Sequence, residues 1–122
     1  MKNIHTDVIG QSEDALQQKC YFWFWNNYPH LRGLLFAVPN GGARDGKEGK
    51  KLQLTGVVPG VSDLILLYRT QAYLIELKKD KKAKQRKHQK EWQKEVEHQG
   101  FTYFVVRSLV DFKRLIKTLV VI

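Results

Sequence analysis

Apolar residues recur at helical spacing from Leu16 through Cys20, Trp23 and Phe24, an i, i+4, i+7, i+8 stripe. Ser12 stands ahead of the stripe as an N-cap, with Glu13 and Asp14 in the first turn, where the helix dipole favours acids. Phe22 and Trp25 fall off the stripe, so this helix is apolar on more than one face. Either it runs through the middle of the domain, or its second face meets another subunit. Tyr28-Pro29 ends it. A short buried strand is predicted over 34–38, stopped by Pro39. The glycine-rich basic stretch 40–51 reads as a loop leading into a short helix near 50–54, and Pro59-Gly60 as a turn. Strands follow over 61–68 and 72–78, joined by a hairpin turn at Arg69-Thr70. A helix over 85–99 stops at Gly100. A strand over 101–107 comes next, and a closing helix over 110–121 carries Leu115, Ile116 and Leu119 on one face.

The order α, β, (α), β, β, α, β, α predicts an α/β fold with helices packed on a central mixed sheet. A chain of 122 residues fits one domain, expected over 12–122, after a flexible polar segment over 1–11. The composition, 43% hydrophobic and 27% charged, is that of a globular protein. Lys and Arg outnumber Asp and Glu by 21 to 12, a formal net charge of +9. Such an excess favours a polyanionic partner, because each cation that neutralises a phosphate releases a counterion. Basic ribosomal and membrane-surface proteins share the property, so charge alone selects no function. Cys20 is the lone cysteine, which excludes an internal disulfide and a cysteine-rich zinc site. Among Tyr21, Phe22 and Trp23 it reads as a buried structural thiol. No apolar run approaches the ~20 residues that span a bilayer, so no membrane partner is expected. A reducing cytoplasm is the expected location.

One apparent motif is a decoy. Gly41 to Lys47 matches the Gly-x4-Gly-Lys spacing of a phosphate-binding loop, but Glu48 stands where a magnesium-binding Ser or Thr is needed. The informative residues lie further on, in Gly60-Val-Ser-Asp63 and Glu76-Leu-Lys78. An acid in Leu-Ile-Glu-Leu-Lys is costly to bury as a bare charge, so a partner must compensate it. Glu76 and Lys78, two apart on a strand, share a face. A turn centred on Arg69 and Thr70 pairs position 63 directly with 76, whereas a one-residue slip would send the carboxylates to opposite faces. Two convergent carboxylates and an ammonium are what metal-assisted phosphodiester hydrolysis needs, with Mg2+ or Mn2+ on hard oxygen ligands. The plainer reading is a structural Glu–Lys pair at a strand end. On the helix after 85, positions 85, 88, 89, 92, 96 and 99 form one stripe. Gln89 is polar on that stripe and needs a partner for its amide. The edge of the sheet near Glu76 would supply one, and a partly wet helix end is the alternative.

Pro39-Asn-Gly-Gly-x-Arg44, Gly56-Val-x-Pro-Gly-Val-x-Asp63-Leu, Ile75-Glu76-Leu-Lys78, Gln89-x-x-Trp92 and Val106-Arg-Ser108 together resemble the virus-type replication–repair nuclease domain, VRR-NUC. That family belongs to the PD-(D/E)xK superfamily of restriction-endonuclease-like nucleases, and the match runs in order from about Ser12 to Phe112. The resemblance implies a restriction-endonuclease-like core, α-β-β-β-α-β plus a C-terminal helix, and a Mg2+- or Mn2+-dependent endodeoxyribonuclease. It makes Asp63 and Glu76 metal ligands, Lys78 the catalytic lysine and Gln89 the active-site glutamine. The family's first-helix acid maps to Glu13, with Asp14 as its neighbour. Ser62 stands where many members have proline.

Asn40 and Arg44 read as turn residues, and within the family pattern Arg44 becomes a phosphate contact. Eight basic residues crowd 78–90, among them Lys79, Lys81, Lys82, Lys84, Arg86 and Lys87. They form a candidate DNA-backbone surface, which positions a duplex without reading its sequence. Small stand-alone members of the family are often dimers arranged like Holliday-junction resolvases. The resemblance therefore implies a homodimer acting on branched or junction DNA in a bacterial or phage-infected cell. The competing function is a non-catalytic, basic nucleic-acid-binding module.

Overall fold

The computed structural model describes residues 12–39 and 54–121. Asn40, Arg44, the glycine-rich stretch that carries the decoy, the 1–11 segment and nearly all of the expected helix near 50–54 lie outside them.

Helix α1 spans Glu13–Asn27, and Ser12 caps it as expected, its Oγ accepting the Ala15 N–H at 3.0 Å. A single 3-10 turn, Pro29–Leu31, leads to strand β1, Leu35–Ala37. Strands β2, Leu64–Tyr68, and β3, Gln71–Leu77, form the predicted hairpin. Tyr68 pairs with Gln71, and both turn residues, Arg69 and Thr70, have positive φ (47° and 67°). That is the two-residue turn whose twist matches paired strands. Helix α2, Lys87–His98, then strand β4, Thr102–Val106, and helix α3, Leu109–Leu119, complete the order. The sheet runs β1-β2-β3-β4, antiparallel except for the parallel β3–β4 pair. The sheet is therefore mixed, as read from the sequence, and α2 is the crossover that a parallel pair requires.

Alternation along the strands divides the sheet into two faces. One presents Leu35, Leu64, Leu66, Ile75, Leu77 and Val106 to Cys20 and Phe24 of α1 and to Phe112 and Ile116 of α3, and this is the hydrophobic core. Cys20 is fully buried, and burial pushes its thiol up to about 12, which makes it the inert structural thiol expected. Trp23 is half-buried, edge-on to Tyr28 and Phe112, and Arg32 lies 4.8 Å over the Trp25 ring. Trp23 on the stripe and Trp25 off it are thus both engaged within the chain. The opposite face carries Leu74, Glu76 and Tyr103, and α2 covers it through Trp92, edge-on to Tyr103.

Two expectations need adjusting. Helix α2 begins at Lys87 rather than 85, and the stripe assigned to it is only partly inward. Gln89, Trp92 and Val96 are half-buried while His88 and Gln99 are exposed. Strand β2 begins at Leu64, so Asp63 precedes the ladder instead of lying within it.

Candidate active site

Glu76 is the sixth residue of β3 and has no solvent exposure. Its Oε1 accepts two side-chain hydrogen bonds, from the Tyr103 hydroxyl and from Gln85 Nε2 at 2.8 Å. Its buried Oε2 has no hydrogen-bond partner among the described residues. What faces Oε2 is the ammonium of Lys78, 3.6 Å away. Lys78 is itself only 2% exposed, although its ammonium also lies 3.7 Å from Glu13 Oε1 and 2.8 Å from Gln89 Oε1. Lys78 lies one residue past the end of β3, where its N–H still bonds the Val106 carbonyl, so Glu76 and Lys78 share the face that the spacing assigned to them.

Asp63 reaches the group from the start of β2. The register Leu64↔Ile75 extends to place 63 opposite 76, as the turn geometry predicted. Because the ladder has not begun there, the carboxylate of Asp63 substitutes for a missing strand carbonyl. Its Oδ2 accepts the Leu77 N–H at 2.6 Å, and its own carbonyl accepts from Val38. Burial pushes the Asp63 carboxyl up to about 6, helped by the nearby charges of Glu76 and Glu13 and opposed by the Leu77 N–H and by Lys78. The protein thus pays to keep this carboxylate charged. A second cation close by would relieve that cost.

The structure brings Glu13, Asp63, Glu76, Lys78 and Gln89 into one cluster. Glu13, first residue of α1, turns toward Lys78, while Asp14 lines a neighbouring groove of about 420 Å³ with Tyr21, Phe22 and Phe36. Gln89 has the partner its inward position required, and it has two: Oε1 also accepts the Arg86 N–H at 2.8 Å, which caps α2. The remaining basic residues, Lys79, Lys81, Lys82, Lys84, Arg86 and Lys87, are exposed on the connection from β3 to α2. That connection is folded tightly. Asp80 accepts from the Lys82 and Ala83 amides, which holds its carboxyl below the usual range, and Arg107 donates to the carbonyls of Asp80 and Ala83.

Four contributors were not singled out by the sequence as site residues. Gln85 sits on the recognised stripe, but its partner is Glu76. Tyr103 is a buried phenol, a group that needs a hydrogen-bond acceptor. Arg107 lies in the Val-Arg-Ser motif, with no role legible there. Gly60, at φ +85°, lets the chain pass His88 so closely that a Cβ would stand 2.2 Å from the His88 carbonyl oxygen. This contact sets the loop leading to Asp63 against the start of α2.

The donor set suits a hard divalent cation in kind: carboxylate oxygens, one of them buried and without a hydrogen-bond donor. Among the described residues no three acidic, histidine or cysteine side chains close on one point, and Lys78 lies within 3.7 Å of both Glu13 and Glu76. The fit is therefore to the pair Asp63 and Glu76, with Glu13 at the rim.

A mixed sheet bearing Asp63, Glu76 and Lys78 at the end of a hairpin, with helices on both faces, is the α/β architecture of the restriction-endonuclease-like class. Comparison with solved structures makes the class narrower. One described as a VRR_NUC domain protein superposes with a TM-score of 0.75 at 23% identity, over 91% of this chain and 89% of that one. A second, described as a VRR_NUC domain, gives 0.58 at 24% identity over 86% and 94%. The chain thus has the VRR_NUC fold, the one its motifs resemble. No protein-family model matches the sequence, and no curated protein does.

Proposed function

We propose that this protein is a metal-dependent nuclease that hydrolyses phosphodiester bonds in DNA. The observation that carries the reading is the state of Glu76: fully buried, one oxygen saturated by two donors, the other beside Lys78 with no donor among the described residues. Lys78 offsets part of the cost of burying that carboxylate, and a divalent cation at the oxygen without a donor would offset more of it. Asp63, raised by burial next to it, makes the same demand.

Asp63 and Glu76 would hold Mg2+ or Mn2+, with Glu13 as a further candidate ligand. Such an ion supplies Lewis-acid polarisation of the scissile phosphate and a more acidic bound water. The chain's own residues do the rest. Lys78, fixed by Gln89, presents a positive charge where negative charge grows on the phosphate oxygens. The exposed lysines over 79–87 hold the DNA backbone alongside. Branched DNA is the substrate to try first, and a homodimer is the assembly to look for; both rest on the VRR-NUC resemblance. A cytoplasmic location fits the lone, reduced thiol. The domain as proposed spans 12–122.

The rival is a non-catalytic nucleic-acid-binding module, in which Glu13, Glu76 and Lys78 are only a structural ion network. The test is cleavage of a labelled four-way junction, a flap and a plain duplex with Mg2+, Mn2+ or EDTA, wild type beside Glu76→Ala. Metal-dependent cutting lost in the variant supports the nuclease. Binding without cutting under every metal supports the rival.

A further inference from the structure

We infer that Tyr103 and Gln85 are positioning residues that set which oxygen of Glu76 is offered to the cation, an inference that rests on the nuclease reading above. A carboxylate is acceptor-only, and its terminal torsion is broad, so its two oxygens are interchangeable unless something distinguishes them. Here the Tyr103 hydroxyl and Gln85 Nε2 both donate to Oε1, and among the described residues nothing donates to Oε2. The pair of donors breaks the symmetry and points Oε2 at Lys78.

The donors are themselves fixed. Gln85 Nε2 spends its second proton on Gln93 Oε1 at 2.7 Å, so flipping the amide would set its oxygen against two acceptor oxygens. Tyr103 is 6% exposed, with its ring edge-on to Trp92, so its hydroxyl is held in place against Glu76. Strand β4 and the connection leading into α2 thereby orient a ligand carried by β3. Outer partners of this kind usually change metal affinity by about ten- to a hundredfold when removed.

The experiment is calorimetric titration of Mn2+ into the intact chain without DNA, at a temperature where circular dichroism shows each protein folded. Wild type, Glu76→Ala, Tyr103→Phe, Gln85→Leu and the double variant are compared. Phe112→Leu, on the opposite face of the sheet, controls for lost stability alone. The expected result is a loss of about tenfold in Mn2+ affinity for each single variant and about a hundredfold for the double. Phe112→Leu should lower the melting temperature and leave affinity unchanged. A folded double variant that binds Mn2+ within about threefold of wild type overturns the inference and leaves the metal site standing. Should the double variant not fold, the single variants decide by the same criterion. A wild type that binds no Mn2+, or Glu76→Ala binding as wild type does, defeats the nuclease reading itself and the inference with it.

Discussion

Replacing Lys78 by methionine removes a charge and keeps most of the volume, so it isolates the electrostatics of the cluster. Lys78 is 2% exposed and Glu76 fully buried, with 3.6 Å between their charged atoms. At an effective dielectric constant of about 20, unit charges at that separation attract by about 4–5 kcal/mol. Glu13 adds a second attraction at 3.7 Å, weakened because its side chain is 39% exposed. Desolvation of both ions offsets much of this in the intact pair, but it does not vanish when one partner leaves. Breaking a buried pair in this way costs about 3–5 kcal/mol. The expected loss for Lys78→Met is therefore about 3 kcal/mol, measured by urea unfolding in EDTA at pH 7. A domain with about 5–15 kcal/mol of total stability feels that strongly. Adding Glu76→Gln to Lys78→Met should recover most of the loss, because a neutral amide no longer needs the ammonium. A single variant that loses under about 1 kcal/mol, or a double variant as unstable as the sum of the singles, would refute the assignment of a coupled, buried charge pair.

Asp63 gives a pH dependence of known sign. Its carboxyl is raised from 3.8 to about 6, so the folded state holds a proton that the unfolded state releases between those values. That contribution to stability is full below pH ~4 and lost as pH rises to ~6. Asp63→Asn should therefore gain on wild type across that window in EDTA; equal pH profiles would contradict it. Wild-type Mn2+ affinity, which requires the carboxylate, should rise by up to about tenfold per pH unit over the same range, as titration calorimetry can show. Gly60→Ala should cost at least about 2 kcal/mol by denaturant unfolding, since it meets both a positive φ and the His88 carbonyl. Charge reversal of Lys81, Lys82 and Lys84 should weaken DNA binding and flatten its dependence on salt by about one unit of log–log slope per lost phosphate contact, read by fluorescence anisotropy. The same variant should leave Mn2+ affinity unaffected.

Local periodicity was enough to read the order of helices and strands, the Arg69–Thr70 hairpin and the shared face of Glu76 and Lys78. All three depend on neighbours close in the chain. The same hairpin fixed position 63 opposite 76, but not the use of Asp63 as a cap for the Leu77 N–H. That contact depends on where the ladder starts, which the passage of Gly60 over His88 helps to set. Tyr103 carries a similar lesson. Its polar tip demanded an acceptor, yet choosing Glu76 requires knowing that β4 lies parallel beside β3, a pairing across a whole crossover helix. The start of α2 was misplaced for a chemical reason. Gln85 has the pattern of a helical residue, but its side chain serves Glu76, and the helix starts two residues on, after the N-cap Arg86, whose N–H Gln89 takes.

One oxygen atom, Gln89 Oε1, holds both the Lys78 ammonium and the Arg86 amide. When the Gln89 side chain swings away, the first turn of α2 loses its cap and Lys78 loses this hydrogen-bond acceptor in the same movement, while Glu76 and Glu13 keep their charges beside the ammonium. The hydrogen on one backbone nitrogen therefore reports on a buried ammonium several residues away. Its solvent exchange rate, followed by nuclear magnetic resonance, tells how often Gln89 lets go of its two partners without any substrate being present.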